Sequence, residues 1–188
     1  MRSLTYVLTG LALVVGMVGC GEVDLGEFEA AVDVGAVSLP GSAEFEAKTG
    51  RYVMTGSGAN MWDTEDQFQF LYRKVSGDFT VSTDLEFISE GGDPHRKAGM
   101  MVRESLETDA AYADAIIHGD GLISLQYRRV KGGPTEEIQT PLKAPVRLRL
   151  QRDGALFSLS VAPGGGDFQP VGALLLELPS ESLLGLAV

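Results

Sequence analysis

From Phe79 to Ile88 the chain reads FTVSTDLEFI, with apolar side chains falling at alternate positions. Phe79, Val81, Leu85 and Phe87 share one face, and Thr80, Ser82, Asp84 and Glu86 share the other, as a strand with one buried face requires. The stretch Ala98 to Ser105 (AGMMVRES) repeats the pattern, sending Ala98, Met100 and Val102 one way and Gly99, Met101 and Arg103 the other. It is expected in the middle of a sheet, with the first three residues in the core. A period of two cannot place its apolar set on one side of a helix, so these segments commit the chain to β structure.

Further segments follow the same logic. Ser42 to Ala47 and Arg51 to Thr55 flank a Lys48-Thr49-Gly50 turn; Tyr112 to His118 and Leu122 to Val130 flank Gly119-Asp120-Gly121; Val146 to Gln151 and Phe157 to Val161 flank Asp153-Gly154. Gln67 to Tyr72 carries Phe68, Phe70 and Tyr72 at alternate positions. Asp33 to Ser38 is expected as the first strand, a short edge piece begins at Ile138, Phe168 to Val171 follows a glycine-rich turn, and Leu183 to Val188 is the last strand. No amphipathic helix is expected after residue 20. Many short strands and 24 glycines point to an all-β sandwich or barrel of ordinary size, with a single core.

The N-terminus obeys different rules. Arg2, an apolar run from Leu4 to Val18, then Gly19 and Cys20 form the pattern of an export signal, too short for a membrane span of about 20 apolar residues. Met17-Val18-Gly19-Cys20 is similar to a bacterial lipobox, with Met17 where Leu is usual, which implies lipidation of Cys20 after removal of residues 1–19. A cut near Gly19 that leaves Cys20 an idle thiol, or an uncleaved anchor, remains open. Residues 20–32 are acidic and small and are expected as a tether, with the folded domain spanning 33–188. A single cysteine excludes an internal disulfide. A net charge of −11 argues against nucleic acid as a partner.

Asp33-Val34-Gly35, Gly41-Ser42-Ala43, Val53 to Gly58 followed by Trp62, Phe68 to Tyr72 before Ser76-Gly77-Asp78, Lys97 to Ser105 and Gly185 to Val188 carry a family likeness. In this order they resemble a bacterial branch of the concanavalin A-like lectin and glucanase superfamily, mostly known as domains of unknown function. The likeness implies a two-sheet antiparallel jelly-roll sandwich, of a kind often appended to secreted glycoside hydrolases, polysaccharide-binding proteins or TolB-like propellers. Such domains usually continue past Gly-Leu-Ala-Val into a last strand beside the first; here the sequence stops at Val188, so either it is a fragment or the sandwich has an open edge.

Three chemistries bear on these residues. Glycoside hydrolysis needs a pair of suitably separated carboxylates. Asp84, Glu86 and Glu90 are superficially apt, but the likeness implies closely alternating Glu, Asp, Glu; the first Glu is missing and the last displaced, so outward solvated charges fit better. Carbohydrate binding on the concave sheet face needs an aromatic platform and bidentate polar groups. Arg103, Asp114, His118, Gln126 and Arg128 are expected to form one polar patch there, rimmed by Trp62 and Asp63. Arg103 pairing with Asp114 or Glu104 across strands, and Trp62 plugging a sheet edge, are the structural alternatives. Calcium is implied only as an occasional feature of the superfamily: Asp93, Asp109, Asp120 and Asp167 sit in loops without EF-hand spacing, so no cofactor or metal is expected. His95 and His118 lie in no nucleophile elbow or zinc motif. The sequence thus reads as an exported, lipid-anchored envelope domain that binds carbohydrate or glycoconjugate, with a structural or protein-interaction sandwich as the rival.

Overall fold

The computed structural model describes residues 23–88 and 91–188. The expected signal at 1–19, Cys20 and Glu90 lie outside the described residues. No helix forms among the described residues; fourteen strands do. They are β1 (Ala30–Val34), β2 (Ser42–Glu46), β3 (Arg51–Thr55), β4 (Asn60–Trp62), β5 (Glu65–Ser76), β6 (Phe79–Asp84), β7 (Lys97–Arg103), β8 (Tyr112–His118), β9 (Ile123–Arg128), β10 (Thr135–Thr140), β11 (Val146–Asp153), β12 (Leu156–Pro163), β13 (Gln169–Leu175) and β14 (Glu181–Ala187).

The larger sheet runs β1-β5-β14-β7-β8-β9-β10, with β4 added to β5; the smaller runs β13-β12-β11-β6, and β2-β3 stands apart as a hairpin. Every pairing is antiparallel. The fold is therefore an all-β, antiparallel two-sheet jelly-roll sandwich. Its main core lies between the sheets, where Met100, Val102, Ala113, Ala115, Ile117 and Leu125 of the larger sheet meet Leu148, Leu150, Phe157, Leu159 and Val161 of the smaller. Burying each such Leu or Phe removes it from water at a gain of about 1.5–3 kcal/mol. As the alternation demands, Phe79, Val81, Leu85 and Phe87 pack onto this core, although hydrogen-bonded β6 ends at Asp84.

Strand pairing begins at Ala30, inside the stretch expected as tether and ahead of the strand expected from Asp33. The acidic composition of that stretch hides Ala31 and Val32, whose backbone pairs with Leu71 and Phe70. At the other end β14 lies between β5 and β7, and Val188 prolongs its pairing by exchanging two backbone hydrogen bonds with Gln69. The outer side of β1 carries no paired strand among the described residues.

The larger departure concerns β7. Its expected solvent face is buried as well: Gly99, Met101 and Arg103 are covered, and Met101 joins Phe68, Phe70, Tyr112 and Ile116 in a second apolar cluster beneath Met61. The cover is the segment from Gly58 to Asp66, which folds back over the outer face as the β4–β5 hairpin. Gly58 makes this possible, since a Cβ there would lie 1.7 Å from the carbonyl oxygen of Gln67. At the hairpin tip Asp63 adopts φ 54°, a left-handed conformation that Asp tolerates better than most residues.

Candidate functional site

Register places the outward side chains of the larger sheet in rows. Arg103, Tyr112, Arg128 and Thr135 align across β7 to β10; Met101, Asp114, Gln126 and Glu137 form the next row; Gly99, Ile116, Ser124 and Gln139 follow, and Lys97 faces His118 in the last. Five of the seven expected ligand residues, Arg103, Asp114, His118, Gln126 and Arg128, therefore share this face, while Trp62 and Asp63 belong to the β4–β5 hairpin that covers it. The seven divide into two groups.

The first is a closed ionic cluster. Arg128 forks onto Asp66 through Nη1 to Oδ2 at 2.7 Å and Nη2 to Oδ1 at 2.8 Å, while Arg103 Nη2 lies 3.5 Å from Oδ2. All three side chains are 0% exposed. Most remaining guanidinium hydrogens go to carbonyls: Arg103 donates to Ser105 and Glu107, Arg128 to Gly133, Ala110 and Asp63, while Arg103 Nη1 donates to the Met101 sulfur. Phe68 lies under Arg103 and Tyr112 under Arg128, at 5.1 and 5.0 Å from ring centre to guanidinium carbon. Burial raises the Asp66 carboxyl even against the pull of both arginines. It lowers Arg103, whereas on Arg128 the hydrogen bond and charge of Asp66 outweigh burial and leave it raised.

This corrects the expected patch. Arg103 and Arg128 are not displayed to solvent, and Asp63 contributes a backbone carbonyl rather than a rim carboxylate. Nor does Arg103 bridge to Asp114 or Glu104; its partner is Asp66, in the next strand segment of the cover. The physical reason is that the β4–β5 hairpin brings an acid over two guanidinium groups that would otherwise face water.

The second group is open in its hydrogen bonding. Lys97 Nζ donates to the carbonyl of Met61 at 2.8 Å and to Gln126 Oε1 at 3.1 Å, and sits 4.9 Å from the centre of the half-buried Trp62 ring. Gln126 Nε2 lies 3.3 Å from both His118 Nε2 and Glu137 Oε2, and Ser124 Oγ lies 3.5 Å from His118 Nε2. Asp114 Oδ1 accepts the Gln126 backbone N–H at 3.3 Å. Two buried atoms, Asp114 Oδ2 and His118 Nδ1, have no hydrogen-bond partner among the described residues. If His118 Nε2 accepts from the Gln126 amide, its Nδ1–H is the donor left over.

Electrostatics follow from burial. Desolvation pushes the Asp114 carboxyl well above its usual range, with Lys97 pulling it back only in part, and the same burial pulls the Lys97 ammonium down. His118 is lowered to about 4 by burial and then by the Lys97 charge, so its imidazole is neutral at pH 7. At the solvent end stand Trp62, half-buried Glu137 and exposed Gln139.

Lys97, Glu137, Gln139 and Asp66 were missed in the sequence. Lys97 lies two positions before Gly99, on the same face as Arg103, so its alternation was legible. Glu137 and Gln139 were not, because placing them requires the β9–β10 register.

The remaining acids sit elsewhere. Asp84 is forked by Arg147, with contacts between 2.5 and 3.2 Å, and Glu86 pairs with Arg51 at 2.6 Å. Both are exposed, and the Arg147 hydrogen bond lowers Asp84, the opposite of what a general acid needs. Asp93 and Asp120 accept backbone N–H groups two residues on, as turn aspartates do. Among the described residues no three His, Cys, Asp or Glu side chains cluster as a metal site.

No protein-family model matches the chain, and no curated protein matches it in sequence. Solved structures do. One is a functionally unknown protein from Saccharomyces cerevisiae, with TM-score 0.56 and 15% identity over 84% of this chain and 85% of that one. Another is the carbohydrate binding module CBM66 from Bacillus subtilis, with TM-score 0.55 and 17% identity over 86% of this chain and 89% of that one. At such identities the likeness is one of fold.

Proposed function

We propose that this sandwich binds carbohydrate, with Trp62 as the stacking platform and the row of Lys97, Gln126, His118 and Glu137 as the hydrogen-bonding floor. The observation that carries the reading is the hydrogen-bonding capacity at the solvent end beside the chain's only tryptophan: half-exposed Glu137 and exposed Gln139, with an unused Lys97 ammonium hydrogen behind them. Sugar hydroxyls are donors and acceptors at once and suit a mixed set of this kind, while a sugar's C–H face suits an indole ring. The fold likeness to a carbohydrate binding module is consistent with this use of the sandwich. Binding rather than catalysis is the proposed role, since Asp84 and Glu86, the acids superficially apt for hydrolysis, are held in ion pairs with Arg147 and Arg51.

A single tryptophan makes the test direct, because tryptophan emission excited beyond the tyrosine absorption band reports this site alone. Titration with a panel of glycans is expected to quench or shift the emission, and Trp62→Ala is expected to weaken calorimetric binding at least tenfold with little change in melting temperature. A folded protein that binds no member of the panel would favour the interaction-domain reading. Binding and melting are both expected to be unchanged by EDTA.

The address is part of the same proposal: export through residues 1–19 and lipid attachment at Cys20, placing the domain at the bacterial envelope. Expressed in a bacterial host, the chain is expected to partition into the detergent phase of Triton X-114, and Cys20→Ser to move it to the aqueous phase.

A further inference from the structure

Lys97 lines not only the polar row but also a cleft of about 1400 Å³ between the β2–β3 hairpin and one end of the sandwich. Tyr52 and Met54 form the hairpin wall, and Leu85 and Ile88 the wall beyond β6. Cavities that hold one small molecule measure about 300–1,000 Å³, so this cleft suits an elongated ligand. Its walls are fixed. Tyr52 stacks on Phe45 at 4.7 Å, meets Phe28 edge-on at 5.1 Å and accepts the Glu27 backbone N–H at 2.9 Å, while Arg51 ties the hairpin to Glu86.

We propose that this cleft receives the internal residues of a neutral polysaccharide chain whose neighbouring unit occupies the Trp62–Lys97 site; the inference rests on the carbohydrate reading above. Continuity is the first argument, since one side chain, Lys97, borders both places. Charge is the second. Arg51 with Glu86 and Arg147 with Asp84 are already paired at the cleft, leaving spare N–H hydrogens and carboxylate lone pairs that hydroxyl groups can meet without breaking either bridge. The cleft's own charges come close to cancelling, Arg51, Arg96, Lys97 and Arg147 against Asp84, Glu86 and Asp93, so it offers an acidic chain little local attraction to set against a molecule of net charge −11. Apolar lining is the third: Met54, Leu85 and the 68%-exposed Ile88 offer surface for sugar C–H faces.

Calorimetry on the full chain tests this with neutral glucans, mannans, galactans, xylans and fructans, each as disaccharide, hexasaccharide and polymer, and with polygalacturonate as the acidic control. The hexasaccharide of the recognised type is expected to bind at least tenfold more tightly than the disaccharide, and polygalacturonate not to bind. The double variant Arg51→Gln, Glu86→Gln is expected to lose most of that length dependence while disaccharide affinity is unchanged; both side chains are at least half exposed, and an unchanged melting curve confirms the fold. Equal affinity for disaccharide and hexasaccharide, preference for the acidic chain, or length dependence that survives the double variant overturns the cleft proposal and leaves the Trp62 site standing. Failure of every glycan to bind overturns both.

Discussion

Two polar clusters share one face of the larger sheet, a single row of side chains apart, and chemistry treats them oppositely. Around Asp66 the account is closed: one carboxylate serves two arginines, the leftover guanidinium hydrogens reach backbone carbonyls and the Met101 sulfur, and none of the three side chains is exposed. Around Asp114 it is open: a lysine, a histidine and an acid are buried together with two atoms unsatisfied. The first arrangement staples the β4–β5 hairpin and the loops after β7 and β9 onto the sheet. The second has capacity to spare for something that is not protein. Burial of charge is costly in either place, and only full satisfaction turns it into a fixed structural element.

The largest expected effect breaks the closed cluster. Asp66→Asn leaves two buried guanidinium groups with no counter-charge, and urea denaturation is expected to show a loss of about 3–5 kcal/mol. Asp114→Asn should behave differently, because burial already opposes the charge on Asp114 and the amide is nearly isosteric; a change within about 1 kcal/mol is expected. Equal costs for the two substitutions would erase the distinction drawn between the clusters.

Acid titration sharpens the same contrast. His118 has its pKa lowered to about 4 in the fold, against 6.5 for the free side chain. Between those values the unfolded chain binds a proton that the folded one refuses, so stability falls as pH drops through this window, by up to about 3 kcal/mol. His118→Gln is expected to flatten that part of the stability profile. Asp114 acts in the opposite sense, since its raised pKa lets the fold keep a proton the unfolded chain releases, so the comparison is best made on an Asp114→Asn background. The smallest expected effect is that of Arg51→Gln, Glu86→Gln: an exposed pair contributes under about 1 kcal/mol, so melting should hardly move.

Much of the fold was legible because alternation is local. Tyr112 to His118 forms a strand with the bounds its pattern predicts, and Met100 and Val102 lie in the main core as Ala98 to Ser105 implied. The candidate site was half legible. Asp114, His118 and Gln126 do meet on one face, as strand parity requires. Arg103 and Arg128 share that parity too, yet parity says nothing about what lies above a face, and the cover that buries them begins at Gly58, far ahead of Arg103 in the chain.

By itself, then, the sequence determined which side of each strand a residue takes, since that depends only on odd and even position along a pleated backbone. Tertiary structure alone decided which of the two sides meets water. That choice depends on a glycine at 58 that lets the chain approach Gln67, on a left-handed Asp63, and on an acid arriving from a distant segment. Such contacts carry no period, and they divide Arg103, sealed beneath the hairpin, from Trp62 and Glu137 at the rim.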